Sequence, residues 1–173
     1  MRQSSLVFPA RLLYSIDIAF IGRRRRAALP KKNQEGTIPM ERTYIMLKPD
    51  ALQRGLAGEI ITRIERKGYR ITQMKTLRLD EPILREHYAH IVDMPFFPAT
   101  VEYMTSGPVV AMVVEGENVI AGMRTLMGPT KNENALPGTI RGDLACSTTF
   151  NIIHGSDSPE NAEIEIRRFF GAV

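Results

Sequence analysis

From residue 43 onward the chain alternates between short β-rich runs and stretches where apolar residues recur every three or four positions. Thr43-Tyr44-Ile45-Met46-Leu47 is such a run, and it stops at Lys48-Pro49-Asp50, where a proline cannot continue a ladder, so it predicts the first strand. Leu56, Ile60, Ile61 and Ile64 then fall at helical spacing, and Lys67-Gly68 closes that helix. Tyr69 to Leu79 reads as a second strand, and Asp80-Glu81-Pro82 opens a helix carrying Leu84, His87, Tyr88 and Ile91. Pro95-Phe96-Phe97-Pro98 breaks it, after which Thr100 to Thr105 forms a short helix ending at Ser106-Gly107-Pro108. Val109 to Glu115 is nearly continuously apolar and of strand length, which predicts a central strand covered on both faces.

Residues 117–127 are helix-compatible, and Gly128 to Asp143 reads as a long loop punctuated by Pro129, Pro137, Gly138 and Gly142, a length that marks a functional or a disordered segment. Residues 148–153 predict the last strand, running straight into His154. Ser158, Pro159 and Glu160 have the order of an N-cap, a first helical residue and a first-turn acid, so a helix through Phe170 is expected, with His154 in the turn that enters it. The order β-α-β-α-(α)-β-α-β predicts an α+β sandwich with helices on one face of an antiparallel sheet.

At 173 residues and 43% hydrophobic content the chain can bury one core, so residues 40–173 are expected to form one domain. The single cysteine, Cys146, excludes an internal disulfide framework and a cysteine metal cluster, and fits a reducing, cytoplasmic setting. Net charge is +4 but uneven: residues 1–39 hold eight Lys and Arg against Asp17 and Glu35, whereas residues 40–173 hold fifteen against seventeen acids. An affinity for nucleic acid is therefore expected only through the basic extension, with its Arg23–Arg26 run and Lys31-Lys32. That extension reads as a disordered appendage, as an organelle-type leader, or as sequence upstream of a true start at Met40. Its apolar stretch, Ile16 to Ile21, is interrupted by Asp17 and too short to span a bilayer, so no membrane partner is expected.

Neither a Gly-rich Walker loop nor a Gly-x-Gly-x-x-Gly turn follows any strand, so a phosphate site would have to use side chains. The candidates are Lys48 at a strand end, Arg124 before the long loop, Thr130 within it, and Arg141, which Pro137-Gly138-Thr139-Ile140-Arg141-Gly142-Asp143 pins in a constrained loop suited to bidentate phosphate contact. Taken singly, each cation also reads as a solvated surface charge. His154, near a helix N-terminus that attracts phosphate, has the chemistry to attack phosphorus as a neutral imidazole, although a lone histidine in a turn, without further context, reads more often as a surface or satisfied one. Phe96 is either a core aromatic or a platform for a planar ring.

Over residues 41–170, about three quarters of the chain, the sequence resembles the nucleoside diphosphate kinase family. The segments that carry the resemblance are Glu41-Arg42-Thr43 through Leu47-Lys48-Pro49-Asp50, Gln53-Arg54-Gly55-Leu56, Pro95-Phe96-Phe97, Ser106-Gly107-Pro108-Val109, the Pro137–Asp143 loop, and Asn151-Ile152-Ile153-His154-Gly155-Ser156-Asp157-Ser158. The resemblance implies a ferredoxin-like βαββαβ fold with a four-stranded antiparallel sheet, and a homo-oligomer, tetramer or hexamer. It implies that His154 is the phosphorylated nucleophile, that Glu165 orients its ring through the nitrogen that does not attack, and that Ser156 supports the pair. Lys48, Tyr88, Arg124, Thr130, Arg141 and Asn151 would surround the nucleotide: Lys48 and Asn151 at the sugar hydroxyls, Arg124, Thr130 and Arg141 at the phosphates with Mg2+, and Phe96 stacked on the base.

The implied activity is transfer of the γ-phosphate of a nucleoside triphosphate, chiefly ATP, to nucleoside diphosphates by a ping-pong route that maintains the triphosphate pools. A histidine relay lets two anionic substrates use one site in turn. Two other readings fit parts of the pattern: a non-enzymatic ferredoxin-like module that binds nucleotide or nucleic acid, and a phosphocarrier histidine protein, which would need neither Phe96 nor Arg124. The sequence departs from the family at Met94, Thr100 and Lys131-Asn132, none of which removes a catalytic group, and it ends at Val173 without the longer tail that contributes contacts between subunits in many members.

Overall fold

The computed structural model describes residues 40–172, and the expectations for residues 1–39 lie outside the described residues. The elements are, in order, β1 (Met40–Leu47), α1 (Pro49–Gln53), α2 (Ala57–Arg66), β2 (Arg70–Leu77), α3 (Glu81–His87), α4 (Phe97–Thr105), β3 (Val109–Glu117), α5 (Val119–Met127), α6 (Ile140–Leu144), β4 (Ile153–Gly155) and α7 (Pro159–Phe170), with single 3-10 turns at Ala89–Ile91 and Asn132–Asn134. The sheet order is β2-β3-β1-β4 and every pairing is antiparallel, the ferredoxin-like βαββαβ arrangement.

β1 and β3 lie in the middle of the sheet, and successive residues on each are buried, so both faces are covered. Ile45, Leu47, Met112 and Val114 face Ile60 and Ile64 of α2 and Met123 and Met127 of α5. Tyr44, Met46, Ala111 and Val113 face Leu84 of α3, Met104 of α4 and Ile166 and Phe169 of α7. The expectation of helices on one face is thereby corrected to both. The physical reason was already local to Val109–Glu115, whose lack of alternation demands apolar cover on each side.

Two further expectations change. Residues 148–152 of the expected strand lie outside the sheet; β4 is only Ile153–Gly155, and His154 is its middle residue rather than part of the turn that enters α7. Short-range bonds outcompete the ladder here: Phe150 N–H donates to Ser147 Oγ, the Asn151 amide donates to the Thr148 carbonyl, and Ile153 N–H closes a tight turn onto the Asn151 carbonyl. The long loop, in turn, contains the Asn132–Asn134 turn and α6, which begins at the N-cap Thr139. No helix among the described residues is long and apolar enough to cross a membrane.

Candidate functional site

His154 is placed by the pairing of β4 with β1, opposite Met46, and by what precedes it. Ile152 has φ 58°, left-handed for a β-branched residue, at the centre of the turn closed by Ile153 N–H, and its carbonyl accepts from Lys48 N–H at 2.9 Å. Such strain costs on the order of 1–3 kcal/mol and persists where the surroundings fix it, commonly at active sites. It turns the chain so that the Asn151 and Ile153 carbonyls both reach the Arg141 guanidinium.

Behind the imidazole stands α7. Ser158 Oγ caps it by accepting from Asn161 N–H at 3.1 Å, Pro159 follows the cap, and Gly171 ends it, which sets Glu165, nearly two turns in, against β4. Glu165 Oε1 is 2.9 Å from His154 Nε2, and Ser156 Oγ donates to Glu165 Oε2 at 2.5 Å. A carboxylate only accepts, so Nε2 carries the imidazole proton and Nδ1 keeps its lone pair. Nδ1 makes no hydrogen bond among the described residues. Ser156 is itself held by Tyr44 N–H at 3.3 Å, and Glu165 is 8% exposed, so the relay is buried on one side and opens through the histidine. Tyr88 stands edge-on to the His154 ring at 6.4 Å between centroids, and burial pushes its hydroxyl pKa up, with Glu165 adding to the effect.

The second group is cationic. Lys48 Nζ donates to Asn151 Oδ1 at 2.7 Å. Arg141, 3% exposed, donates from Nε to the Asn151 carbonyl, from one terminal nitrogen to Gly128 at 2.7 Å and from the other to Ile153 at 2.6 Å. Of its five N–H donors, two remain for a ligand. Burial, and then Arg124, pull its pKa down to about 10. The loop expected to pin Arg141 does so through other side chains: Asp143 accepts from Gly138 N–H and from Arg63, and Thr139 Oγ1 accepts from Gly142 N–H. A Cβ on Gly142 would run into the Leu136 carbonyl, so only glycine fits there.

Arg124 and Thr130 are exposed on α5 and just beyond it. Phe96, at the N-cap of α4, is 54% exposed and its neighbour Phe97 is 2% exposed, which assigns the core position to Phe97 and leaves Phe96 as the free ring. The sequence-predicted residues thus form three groups: His154, Glu165 and Ser156 in direct contact, with Tyr88 beside the imidazole; Lys48, Asn151 and Arg141 in direct contact; and Phe96, Arg124 and Thr130 exposed, without hydrogen bonds from their side chains to the other two groups.

Sequence reasoning missed several residues. His87, which fell on the apolar stripe of its helix, is buried with its ring 4.6 Å from that of His154, and burial pushes its pKa down to about 2, with His154 adding to the effect. Asp50 is buried and accepts from the Tyr103 hydroxyl, a pairing across distant segments that no local pattern announces. Asp157 has its carboxyl pKa lowered by the Asn161 amide, with Arg124 and His154 contributing less.

The family model for nucleoside diphosphate kinase matches residues 41–173. A nucleoside diphosphate kinase of Symbiobacterium thermophilum is 53% identical over 134 residues, covering 78% of this chain and 89% of that protein. Among solved structures, the apo nucleoside diphosphate kinase of Encephalitozoon cuniculi superimposes with a TM-score of 0.75 at 48% identity, over 76% of this chain and 90% of that one. A halophilic nucleoside diphosphate kinase of Halobacterium salinarum, solved in complex with CDP, gives 0.74 at 48% identity, over 76% and 88%.

Proposed function

Because the chain belongs to the nucleoside diphosphate kinase family, we propose that His154 is the group through which it works. The enzyme transfers the γ-phosphate of a nucleoside triphosphate to a nucleoside diphosphate by a ping-pong route through a phosphohistidine. In our reading, His154 Nδ1 attacks the γ-phosphorus, a P–N bond forms as the bond to the bridging oxygen breaks, and the diphosphate leaves. Glu165 keeps the proton on Nε2 and offsets the positive charge the ring gains, and Ser156 holds the carboxylate in that pose. A diphosphate acceptor then reverses the step at the same atom. The observation that carries this reading is the Ser156–Glu165–His154 relay with Nδ1 left unbonded.

Phosphoryl transfer asks for positioning and charge neutralisation more than for acid–base chemistry. Lys48 and Asn151 would meet the sugar hydroxyls, Arg124, Thr130 and the two spare N–H groups of Arg141 the phosphates, with Tyr88 beside the imidazole. The donor set fits a Mg2+ that arrives on the nucleotide: the phosphate side is cationic, Glu165 is engaged, and Asp157, which feels both Arg124 and His154, is the chain's own carboxylate there. When bound, Mg2+ supplies charge neutralisation at the phosphate oxygens.

Labelling with γ-32P-ATP followed by a chase with ADP, GDP, CDP and UDP tests the reading. Acid-labile label should appear on the protein and pass to each acceptor. Stacking on Phe96 rewards any base face, so catalytic efficiencies should lie within about a thousandfold of one another, roughly 4 kcal/mol; a larger spread would require hydrogen bonds that read base edges and would sink the stacking role.

Lys48 supplies a pH test. Its pKa is lowered from 10.5 to about 8, first by burial and then by Arg141, with Asp50 opposing. Between those two values the unfolded chain holds the proton and the folded chain does not, so this residue's contribution to folding stability rises with pH across that window. The site meanwhile loses a positive charge. The profile of kcat/KM, which reports the free enzyme, should fall on an alkaline limb centred near pH 8, and a profile flat to pH 10 would remove Lys48 from substrate binding.

We also place the protein in a homo-oligomer, tetramer or hexamer, since the outer edge of the eight-residue strand β2 has no partner among the described residues and long open edges attract a second strand. A cytoplasmic setting suits the exposed free thiol of Cys146, and any nucleic-acid contact would run through residues 1–39.

A further inference from the structure

The relay has a neighbour with no part in the chemistry above. His87 is buried to 7% exposure, and neither of its ring nitrogens has a hydrogen-bond partner among the described residues. Leaving such groups unpaired costs about 1–3 kcal/mol each, so a buried orphan of this kind calls for an explanation. Its Nδ1 lies 3.7 Å from Glu165 Oε1, the oxygen that is 2.9 Å from His154 Nε2, and the donor atoms of the three residues all fall within 4.8 Å of one another.

We propose that His87, His154 and Glu165 form a binding site for a late first-row divalent cation, Zn2+ above all, and that filling it switches the enzyme off. Two imidazoles and one carboxylate, with a fourth position open, are a zinc donor set. A tetrahedral ion with ligand bonds of about 2.0–2.2 Å sets its ligands about 3.3–3.6 Å apart; the 2.9 and 3.7 Å spacings lie on either side of that range, and the remaining pair, the two imidazoles, within 4.8 Å, closes to it as the ion binds. Mg2+, a hard ion that demands oxygen ligands, has no claim on two imidazoles, so the metal of the reaction and this one do not compete for the site. The ion reaches it past His154, whose side chain is 22% exposed.

Inhibition follows from proton bookkeeping on one ring. In the metal-free site Nε2–H donates to Glu165 and Nδ1 holds the lone pair. A metal bound at Nε2 takes the lone pair there, so the single proton of the neutral ring resides on Nδ1, and that atom can no longer attack phosphorus. This consequence rests on His154 being the nucleophile; the binding site does not.

The test uses the full chain without nucleotide. Equilibrium dialysis should show one Zn2+ per chain, and Co2+ in its place should give the visible absorption of a tetrahedral site. Of the chain's three histidines and one cysteine, only His90 and Cys146 lie outside the cluster, so there is little else to bind it. His87→Gln should weaken binding at least tenfold and should still be labelled by ATP, now in the presence of Zn2+ concentrations that cut wild-type labelling at least tenfold at fixed Mg2+. Glu165→Gln, read by dialysis alone, should lose the ion as well, which keeps the site testable should the His87 variant misfold. Sub-stoichiometric binding to the wild type, or equal Zn2+ inhibition of wild type and His87→Gln, overturns the proposal. If the metal-free wild type takes no label on His154, the nucleophile assignment fails, while the dialysis and Co2+ spectra still decide the site.

Discussion

His154→Ala should abolish both phosphoryl transfer and acid-labile labelling from ATP, a loss of at least about a thousandfold in kcat, because no neighbouring group replaces a covalent nucleophile. The residue lies in β4, not in an exposed turn, so the substitution also has a structural cost: Glu165 Oε1 loses its donor, and contacts with the Tyr44 and His87 rings go. That cost should stay near 1–2 kcal/mol, because β4 is held to β1 by backbone bonds and Ser156 still donates to the other carboxylate oxygen. A variant with native circular dichroism, a slightly lowered melting temperature and no label on the protein is the expected result. Label persisting at another residue would mean the nucleophile is elsewhere, and transfer without any phosphoenzyme would remove the ping-pong route.

What could be read from the sequence, and what could not, follows from the range of the forces involved. The boundaries of α7 were legible because Ser158-Pro159-Glu160 is a local signal, and the cap hydrogen bond to Asn161 is where that signal puts it. β3 was legible because burial on both faces leaves an unbroken apolar run. The short length of β4 was not, since Thr148-Thr149-Phe150 has strand propensity and only the bonds through Ser147 and Asn151, with the left-handed Ile152, remove those residues from the sheet. The helix α1 was hidden because Lys48-Pro49-Asp50 reads as the end of a strand and equally as the start of a helix with proline at its first position. Lys48, Phe96, Arg124, Thr130, Arg141 and His154 were legible as candidates from their own chemistry, whereas Tyr88, Asn151, Ser156 and Glu165 rest on resemblance to a family, because their physical contacts join segments far apart in sequence, as Asn151 joins Lys48. His87 shows the limit of periodicity: its place on the apolar stripe was visible, but its approach to Glu165 belongs to the packing of α3 against α7.

Arg141→Lys should be the most damaging substitution that preserves charge. Sequence reasoning gave Arg141 to the phosphates, and two of its N–H groups remain for them, but the structure gives the guanidinium an earlier task. It bridges the carbonyls of Gly128, Asn151 and Ile153, which belong to the end of α5 and to both sides of the strained Ile152. A planar fork reaches three acceptors in fixed directions, whereas a compact ammonium on a flexible stem is a point charge that cannot span them. Hydrogen bonds from a charged donor are worth about 1.5–3 kcal/mol each, and a lysine recovers part of one or two, so unfolding free energy should fall by about 3 kcal/mol in urea titrations. Asn151 and His154 flank the loosened carbonyls, so kcat/KM should fall more than about a hundredfold, as expected when reacting groups drift by a fraction of an ångström. If the positive charge alone mattered, the lysine would serve: activity within threefold of wild type with an unchanged urea midpoint would show that the three carbonyl bonds do not hold the site.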